Sequence, residues 1–214
     1  MIAQIHKGIL GGFSGKVGII VGAIWRGKDI IRSLPKPSQK APIEKQVQQQ
    51  LKFALTIAFL TPLNAIQSRF YVNGRGAKSR INLALSYILY EAVQIVAGLP
   101  ELMYNKVLIT KGDLTGFQNA NITAAANEVL NLTWTNNADQ GNASIDEQIN
   151  IVSYSSIDKA FAIFENIATR DAESISINLP SIYSGQSMQV WAYINSSQRE
   201  QACNSLYLGE VQLQ

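Results

Sequence analysis

Apolar residues and glycines alternate in the first part of the chain. Between Val17 and Trp25 every second position is apolar, and glycines interrupt the other set. This period of two predicts a β-strand in which the glycines mark a close approach of another backbone. The sequence at residues 26–28 predicts a turn, and residues 29–34 predict the returning strand of a β-hairpin. The cations near the end of this hairpin are Arg26, Lys28 and Arg32.

Three prolines separate the hairpin from a helical pattern. Pro35, Pro37 and Pro42 predict an extended connector, because proline fixes its own φ and restricts the residue before it. Apolar residues then recur at helical spacing and predict a helix that begins at about Pro42 and ends before Pro62. These residues are Ile43, Val47, Leu51, Ala54, Leu55 and Ala58.

A second helix is predicted after a basic, glycine-containing loop at residues 73–80. Ser79 has a side chain that suits the cap of this helix, and apolar residues at helical spacing continue to about Ala97. Gly98 and Pro100 are typical of a helix end. The first half of the chain is therefore predicted to contain a β-hairpin plus two helices.

From about Asp113 the period of the apolar residues changes to two. Short alternating runs are separated by Asn, Asp, Gly, Pro and Ser, which are typical of turns. The runs are residues 130–134, 149–154, 161–164, 175–179, 188–194 and 206–208. Six or seven strands in about 100 residues, with Trp134 near the front, predict an immunoglobulin-like or fibronectin-like sandwich. The predicted fold class is α+β, with a hairpin-and-helix domain at 1–111 and an all-β sandwich domain at 112–214.

The charges divide at the same position as the predicted domains. Residues 1–111 carry ten Lys and five Arg against one Asp and three Glu, a net charge of +11; the acidic residues are Asp29, Glu44, Glu91 and Glu101. Residues 112–214 carry three cations against five Asp and six Glu, a net charge of −8. Three interpretations stay open: the basic half binds nucleic acid, unlike halves of neighbouring copies attract, or each half is simply solvated. The acidic half argues against a free nucleic-acid binder, because it repels phosphates.

Few side chains with catalytic chemistry are present. Cys203 is the one cysteine and His6 the one histidine, so neither an internal disulfide nor a typical zinc site is expected. A glycine-rich run ends in Lys16, as in a phosphate-binding loop, but Leu10 replaces the first required glycine and Val17 the magnesium-binding hydroxyl. The carboxylates of the second half lack the spacing of a calcium loop. We therefore expect a protein that is not an enzyme and that binds no metal or cofactor.

Neither the N-terminus nor the apolar stretches of the chain indicate a membrane. The N-terminus lacks the basic and apolar segments of a secretory signal peptide, so synthesis in the cytoplasm is expected. Residues 51–63 and 81–97 are apolar but are interrupted by charged and polar side chains. Such interruptions are costly in lipid, and no membrane partner is expected.

Basic and aromatic residues are interleaved between residues 69 and 80. The cations are Arg69, Arg75, Lys78 and Arg80, and the aromatic residues are Phe70 and Tyr71. Such side chains contact phosphates and stack on bases, so this segment is a candidate nucleic-acid site. The same pattern fits a helix whose aromatic residues enter the core while its cations face water.

Several motifs of the chain are similar to those of a known family. Residues 8–18 read GILGGFSGKVG, residues 21–27 read VGAIWRG and residues 31–36 read IRSLPK. With the Gln-rich helix that follows, KGDLT at 111–115 and NSLYLG at 204–209, they resemble an uncharacterised domain-of-unknown-function family common in Bacteroidota and their prophages. The segment from about residue 8 to residue 60 is also similar to structural proteins of phages that infect this phylum. Gln50 departs from the Arg that relatives often have.

We expect a non-enzymatic structural or assembly protein, and the similarity to phage structural proteins implies a phage or phage-derived virion component as its specific form and the virion as a further location. We expect docking through the basic N-terminal half, because an extended hairpin can add to another sheet or cross onto a neighbour. The residues expected to make this contact are Trp25, Arg26, Lys28 and Arg32. The expected partners are other copies of the chain or other subunits of an assembly, and nucleic acid is the alternative.

Overall fold

The N-terminal strands form a small antiparallel sheet. The computed structural model describes residues 4–5, 13–25, 27–36, 40–72, 78–196, 198 and 200–213. In the order of the sheet, its strands are β1 (Gln4–Ile5), β2 (Phe13–Val17), β3 (Ile20–Trp25) and β4 (Lys28–Ser33). Trp25 pairs with Lys28, which confirms the predicted hairpin, and Gly27 in its turn has a φ of 76°.

The strand predicted from Val17 to Trp25 is interrupted by a turn. Gly18 has a φ of 58°, a left-handed conformation that glycine adopts without steric cost, and with Ile19 it separates β2 from β3. Gly22 in β3 lies against the carbonyl oxygen and the ring of Phe13, and a Cβ atom here would overlap both. The expectation that a glycine in this run marks a close approach of another backbone is therefore confirmed.

In the described part of the chain, three α-helices and a second hairpin follow the sheet. They are α1 (Glu44–Leu60), α2 (Asn64–Phe70), α3 (Arg80–Tyr87), β5 (Val93–Val96) and β6 (Leu99–Leu102). The first predicted helix is confirmed, although it begins after Pro42, and a 3₁₀ turn over Thr61–Leu63 carries the chain past Pro62 into α2. The Ser79 hydroxyl accepts a hydrogen bond from the Asn82 amide at 3.2 Å, as a helix cap does.

The second predicted helix is shorter than its sequence pattern suggests. The pattern predicts a helix to about Ala97, but α3 ends at Tyr87 and a π-helical turn over Ile88–Ala92 leads into β5. β5 and β6 pair across a turn in which Ala97 and Gly98 have φ values of 49° and 83°. The β-branched side chains of β5 favour a strand, and because they also fit the helical spacing, the prediction for this segment is wrong.

The remainder of the chain forms two antiparallel sheets. One has the strand order β11-β8-β7, and the other has the order β10-β9-β12, with β13 and β14 both paired to β12. The strands are β7 (Gln118–Ala125), β8 (Val129–Thr135), β9 (Gln148–Ser155), β10 (Ala160–Thr169), β11 (Ser174–Asn178), β12 (Ser187–Ser196), β13 (Gln201–Ala202) and β14 (Leu206–Gln212). The six predicted runs coincide with strands, and the immunoglobulin/fibronectin-like sandwich is confirmed.

The larger sheet is covered on both faces. Its central strand β12 is buried along almost its whole length. Trp191 faces the helices, with 6.3 Å between its ring centroid and that of Phe59 in α1, and Tyr193 lies 6.1 Å from Phe70 in α2. Alternate side chains of β12 point to the opposite face, where the smaller sheet covers them. The helices are therefore a third layer on one continuous core.

Contacts within the chain define two compact units, Met1–Ile43 and Glu44–Gln214. This division differs from the predicted boundary at 111/112. The reason is the third layer, because Phe59 and Phe70 lie in the helices and yet complete the core of the sandwich. No local pattern in the sequence shows which sheet a helix will cover.

The apolar stripe that predicts α1 lies mostly outside the core. The buried residues of this helix are Thr56, Phe59 and Leu60, and the Thr56 hydroxyl donates to the Lys52 carbonyl at 2.8 Å. Val47 and Leu51, which belong to the predicted stripe, are 37% and 41% exposed. α1 therefore packs through its last turns and keeps apolar surface on its outer side.

Candidate interaction surfaces

One face of the N-terminal sheet is mainly apolar. Residues directly opposite each other in antiparallel strands share a face, and Gly22 lies opposite Ile31 while Ile20 lies opposite Val17. The Phe13 ring lies over Gly22, and Ile24 and Ile31 are 60% and 63% exposed. We call the surface made by Phe13, Val17, Ile20, Ile24 and Ile31 the apolar face.

The opposite face of this sheet carries cations. Lys16, Val21 and Arg32 form one row across β2, β3 and β4, and Trp25 lies opposite Lys28. All three cations are exposed, and Trp25 is 56% exposed. We call the surface made by Lys16, Trp25, Lys28 and Arg32 the basic face. Three of the four residues expected to make an assembly contact therefore share one surface, and the fourth, Arg26, lies outside the described residues.

The N-terminal sheet buries very little of itself. Of the residues of Met1–Ile43 whose exposure is described, Gly22 is the only buried one. β4 pairs with β3 alone among the strands that the structure describes, so it is an edge strand. An edge strand presents backbone N–H and C=O groups that can pair with a further strand.

The second predicted site lies where α2 ends and α3 begins. Arg80 donates hydrogen bonds to the carbonyl of Ser68 at 3.2 Å and to that of Arg69, so its guanidinium caps the C-terminal end of α2. Lys78 is exposed just before α3. Arg75 lies outside the described residues. The structure thus brings Arg69 and Arg80 together, but Arg80 stabilises a helix end.

Arg69 also has partners within the protein. Its Nη2 lies 2.5 Å from Oε1 of Glu165, and its guanidinium lies 4.6 Å from the ring centroid of Phe70. The Tyr193 hydroxyl donates to the same carboxylate oxygen at 3.3 Å. Burial, and to a smaller extent the neighbouring Glu165 carboxylate, raise the pKa of Tyr193. A phosphate at Arg69 would have to compete with Glu165.

Arg69 and Arg80 line an open cleft with a volume of about 680 Å³. Lys111 adds a third cation to the cleft, with its ammonium 5.0 Å from the ring centroid of Tyr87. Asp113 and Glu200 add two carboxylates. The cleft is therefore of mixed charge, unlike the uniformly basic surfaces that bind nucleic-acid backbones.

A buried ion pair holds one end of the sandwich together. The side chains of Arg170 and Glu147 are both 0% exposed, and Glu147 Oε2 lies 2.5 Å from Nη2 and 2.9 Å from Nε of Arg170. The guanidinium also donates to the carbonyls of Thr115 at 2.8 Å and Gly116 at 3.3 Å, and to the amide oxygen of Asn137. All five N–H donors of the guanidinium thus have an acceptor. Sequence reasoning missed this network, because a single Arg between two strands carries no pattern.

The network joins two loops, residues 136–147 between β8 and β9 and residues 170–173 between β10 and β11. The Arg170 amide donates to the Glu147 carbonyl at 2.9 Å, and the Trp134 indole donates to the Arg170 carbonyl at 2.7 Å. Four exposed carboxylates lie on these loops. We call Asp139, Asp146, Asp171 and Glu173 the acidic end.

The one cysteine thiol lies in the core, and a metal-binding cluster is missing from the described residues. Cys203 is buried, its sulfur accepts a hydrogen bond from the Ile194 amide at 3.2 Å, and burial raises the pKa of its thiol to about 11. Such a thiol is unreactive and contributes only to the packing of the core. In the described part of the chain, no three His, Cys, Asp or Glu side chains are grouped to hold a metal ion. Among the helices described, none is both long and apolar enough to cross a membrane.

Comparison with known proteins places the chain in a family. A family model described as a family of unknown function, DUF6266, matches residues 12–209. The chain belongs to the DUF6266 family. The resemblance to an uncharacterised family, based on the N-terminal and C-terminal motifs, is thereby confirmed at the level of the family.

Individual proteins give less information about this DUF6266 member than the family model does. No protein with a curated description matches it. Solved structures do match, among them the solution structure of the fn3 domain of human contactin 1, which is 13% identical and has a TM-score of 0.36. That match covers 49% of the DUF6266 chain and 82% of the contactin chain. The fold of the DUF6266 member rests on its own strand order.

Proposed function

We propose that this DUF6266 protein is a non-enzymatic structural subunit that docks into a larger assembly through its N-terminal unit. The observation that carries the proposal is the scarcity of burial in the β1–β4 sheet, where Gly22 is the only buried residue of those described. A small sheet becomes stable when another element covers its apolar face. The apolar face is therefore the kind of surface that a partner covers.

Two further features support an assembly role. β4 is an edge strand with a free hydrogen-bonding side in the described sheet, which suits strand addition. α1 exposes Val47, Leu51 and Ile57 outside the core of the second unit. Exposed apolar side chains that form a continuous patch are typical of protein–protein contacts.

The specific form of the proposal is a phage or phage-derived virion component. It is supported by the similarity of residues 8–60 to phage structural proteins. Detection of the protein in particles purified from a culture of the source organism, by mass spectrometry and in constant ratio to other particle proteins, would support it. Absence from such particles would remove the virion form and leave the assembly role to be tested by the next experiment.

Self-association of the full chain tests the assembly role. Size-exclusion chromatography with light scattering should show species heavier than the 23.5 kDa monomer at about 50 mM salt, with a shift toward the monomer at about 500 mM, where charges are screened. A variant carrying Lys28→Glu and Arg32→Glu should associate at least about tenfold more weakly. The matched control, Lys45→Glu with Lys159→Glu, reverses two exposed lysines of the second unit and should behave like the unmodified chain. A strictly monomeric chain at high concentration and low salt contradicts the proposal for self-assembly.

The alternative function is nucleic-acid binding by the cleft. The observation in its favour is that Arg69, Arg80 and Lys111 line one concave surface. Fluorescence anisotropy with labelled single-stranded DNA and RNA should then show micromolar or tighter binding with a steep salt dependence. Lys78→Glu should weaken it, since Lys78 is exposed two residues before Arg80, which lines the cleft, and its replacement leaves the contacts of Arg69 and Arg80 in place. Absence of binding at low salt removes this function.

A further inference from the structure

We infer that the basic face of one copy binds the acidic end of a second copy, so that the chains join head to tail. The inference rests on the proposed function and names the partner that the proposal leaves open. It is carried by two surfaces on different elements, one on the sheet β2–β4 and one on the loops at the end of the sandwich.

The charged side chains described on the basic face are all cations, and uncharged residues such as Val21 and Ile30 lie between them. Lys16 and Arg32 flank Val21 in one row across three strands, and strands in a sheet lie about 5 Å apart, so the backbones that carry the two cations are about 10 Å apart. Lys28 adds a third cation beside Trp25. Asp29, the one carboxylate of residues 1–43, lies opposite Ile24 and therefore on the apolar face. No carboxylate of these residues neutralises the basic face.

The acidic end has the opposite character. Residues 136–147 contain no Lys or Arg, and Arg170 in the other loop is buried against Glu147. The two described loops themselves therefore carry no exposed Lys or Arg. The hydrogen bonds of Arg170 fix both loops before any partner arrives, and a preorganised surface loses less entropy on binding.

Charge decides which surfaces meet. Residues 1–43 carry seven Lys and Arg against one Asp, a net charge of +6, which leaves −3 for residues 44–214 of a chain of net charge +3. A twofold contact through the basic face would oppose cations, and a twofold contact through the acidic end would oppose carboxylates. Like charges across an interface are costly, whereas unlike charges raise the association rate and fix the orientation. The unlike surfaces of two copies are thus the complementary pair.

Trp25 gives this contact an apolar anchor. It is 56% exposed between the cations of the basic face, and tryptophan surrounded by polar residues is typical of the energetically dominant positions of interfaces. Because the two contacting surfaces differ, each bound pair keeps one basic face and one acidic end for further copies. Such a heterologous contact produces closed rings or filaments.

Mixing two charge-reversed variants tests the inference. The basic-face variant carries Lys16→Glu, Lys28→Glu and Arg32→Glu, and the acidic-end variant carries Asp139→Lys, Asp171→Lys and Glu173→Lys. Asp146 is left unchanged because it accepts hydrogen bonds from Ser144 and Gln198. Each variant alone should remain at the monomer mass of 23.5 kDa in light scattering at low salt. An equimolar mixture should form species heavier than the monomer, because the unmodified basic face of one variant matches the unmodified acidic end of the other, and the two reversed surfaces are again of opposite charge.

Matched controls reverse exposed charges elsewhere in the second unit. One control carries Lys45→Glu, Lys106→Glu and Lys159→Glu, and the other carries Glu91→Lys, Glu101→Lys and Glu210→Lys. Both controls should self-associate with an affinity within about threefold of that of the unmodified chain. Circular dichroism of each variant shows whether it is folded, and formation of the mixed complex shows this independently.

The possible outcomes separate the inference from the proposed function. If the basic-face variant loses self-association while the acidic-end variant keeps it, the N-terminal unit still docks, but the named partner surface is wrong. If both variants are folded and monomeric and their mixture stays monomeric, the inference is also overturned. If the unmodified chain is monomeric at low salt, both the inference and self-assembly fail together.

Discussion

Replacing Arg170 with Met removes the cation that joins the two loops at the end of the sandwich. Met has a long, flexible side chain without charge, so the substitution leaves little empty volume. It does leave the Glu147 carboxylate buried without a cation, and it removes the donor to Asn137 and to the carbonyls of Thr115 and Gly116. The expected effect is a large loss of stability centred on this end of the molecule.

The magnitude follows from what is left without a partner. Removing one member of a buried ion pair costs about 3–5 kcal/mol, because the other charge stays uncompensated. Each carbonyl that loses its donor adds up to about 1 kcal/mol. The total is a large share of the about 5–15 kcal/mol that stabilises a typical domain. Replacing both partners, by Arg170→Met with Glu147→Gln, leaves no charge buried and should recover at least about 2 kcal/mol of the loss.

Equilibrium urea unfolding of the single and double variants measures both effects. Tryptophan fluorescence is a suitable signal, since the Trp134 indole donates to the Arg170 carbonyl at 2.7 Å. The control is Lys159→Met, which removes an exposed cation from the turn at the other end of the sandwich and should change stability by less than about 0.5 kcal/mol. The reasoning is refuted if the free energy of unfolding of Arg170→Met lies within about 1 kcal/mol of that of the unmodified chain. It is also refuted if the double variant is no more stable than the single one.

Three further predictions concern the core of the second unit. Gly112→Ala should lower the free energy of unfolding in urea by about 1–3 kcal/mol, because its Cβ would overlap the Ala202 carbonyl. Gly116→Ala is the control and should be nearly neutral, because its Cβ would lie 3.9 Å from the nearest side-chain atom. Equal effects of the two substitutions would contradict this prediction. Phe59→Ala should cost about 3–5 kcal/mol by the same measurement, and a loss below about 1 kcal/mol would show that α1 is not part of the core. Burial raises the Cys203 pKa from 9.0 to about 11, so the unfolded thiol ionises first and stability is lost as pH rises through this window. The loss should reach about 2 kcal/mol at pH 11 relative to Cys203→Ala, and an identical pH profile for the two proteins would contradict it.

The sandwich was predictable because its pattern is local. Apolar and polar residues alternate along β8 and β11, and turn residues separate the strands, so the period of two marks each of these strands without knowledge of its neighbours. The segment Val93–Val96 shows the limit of this approach. Its apolar residues continue a helical pattern, and only pairing with Leu99–Leu102 across the Ala97 and Gly98 turn makes it a strand. Pairing of this kind is a tertiary effect that overrides local propensity.

The candidate surfaces were predictable to different degrees. Lys28 and Arg32 are four residues apart in one strand and therefore share a face, and a tight hairpin turn places Trp25 opposite Lys28. Lys16 joins this face only through the register of β2 with β3, which its sequence does not specify. Arg170 could not be predicted, because its four acceptor atoms come from three separate segments of the chain, residues 115–116, Asn137 and Glu147.

The helical layer determines which pieces of this protein can be produced separately. A fragment that starts at residue 112 would lack the helices and would leave Tyr154, Trp191 and Tyr193 in contact with water. Such an aromatic surface on a twisted sheet invites aggregation during expression. A fragment that starts at Glu44 retains the cover and is therefore the one to attempt for crystallisation or for binding assays without the N-terminal sheet.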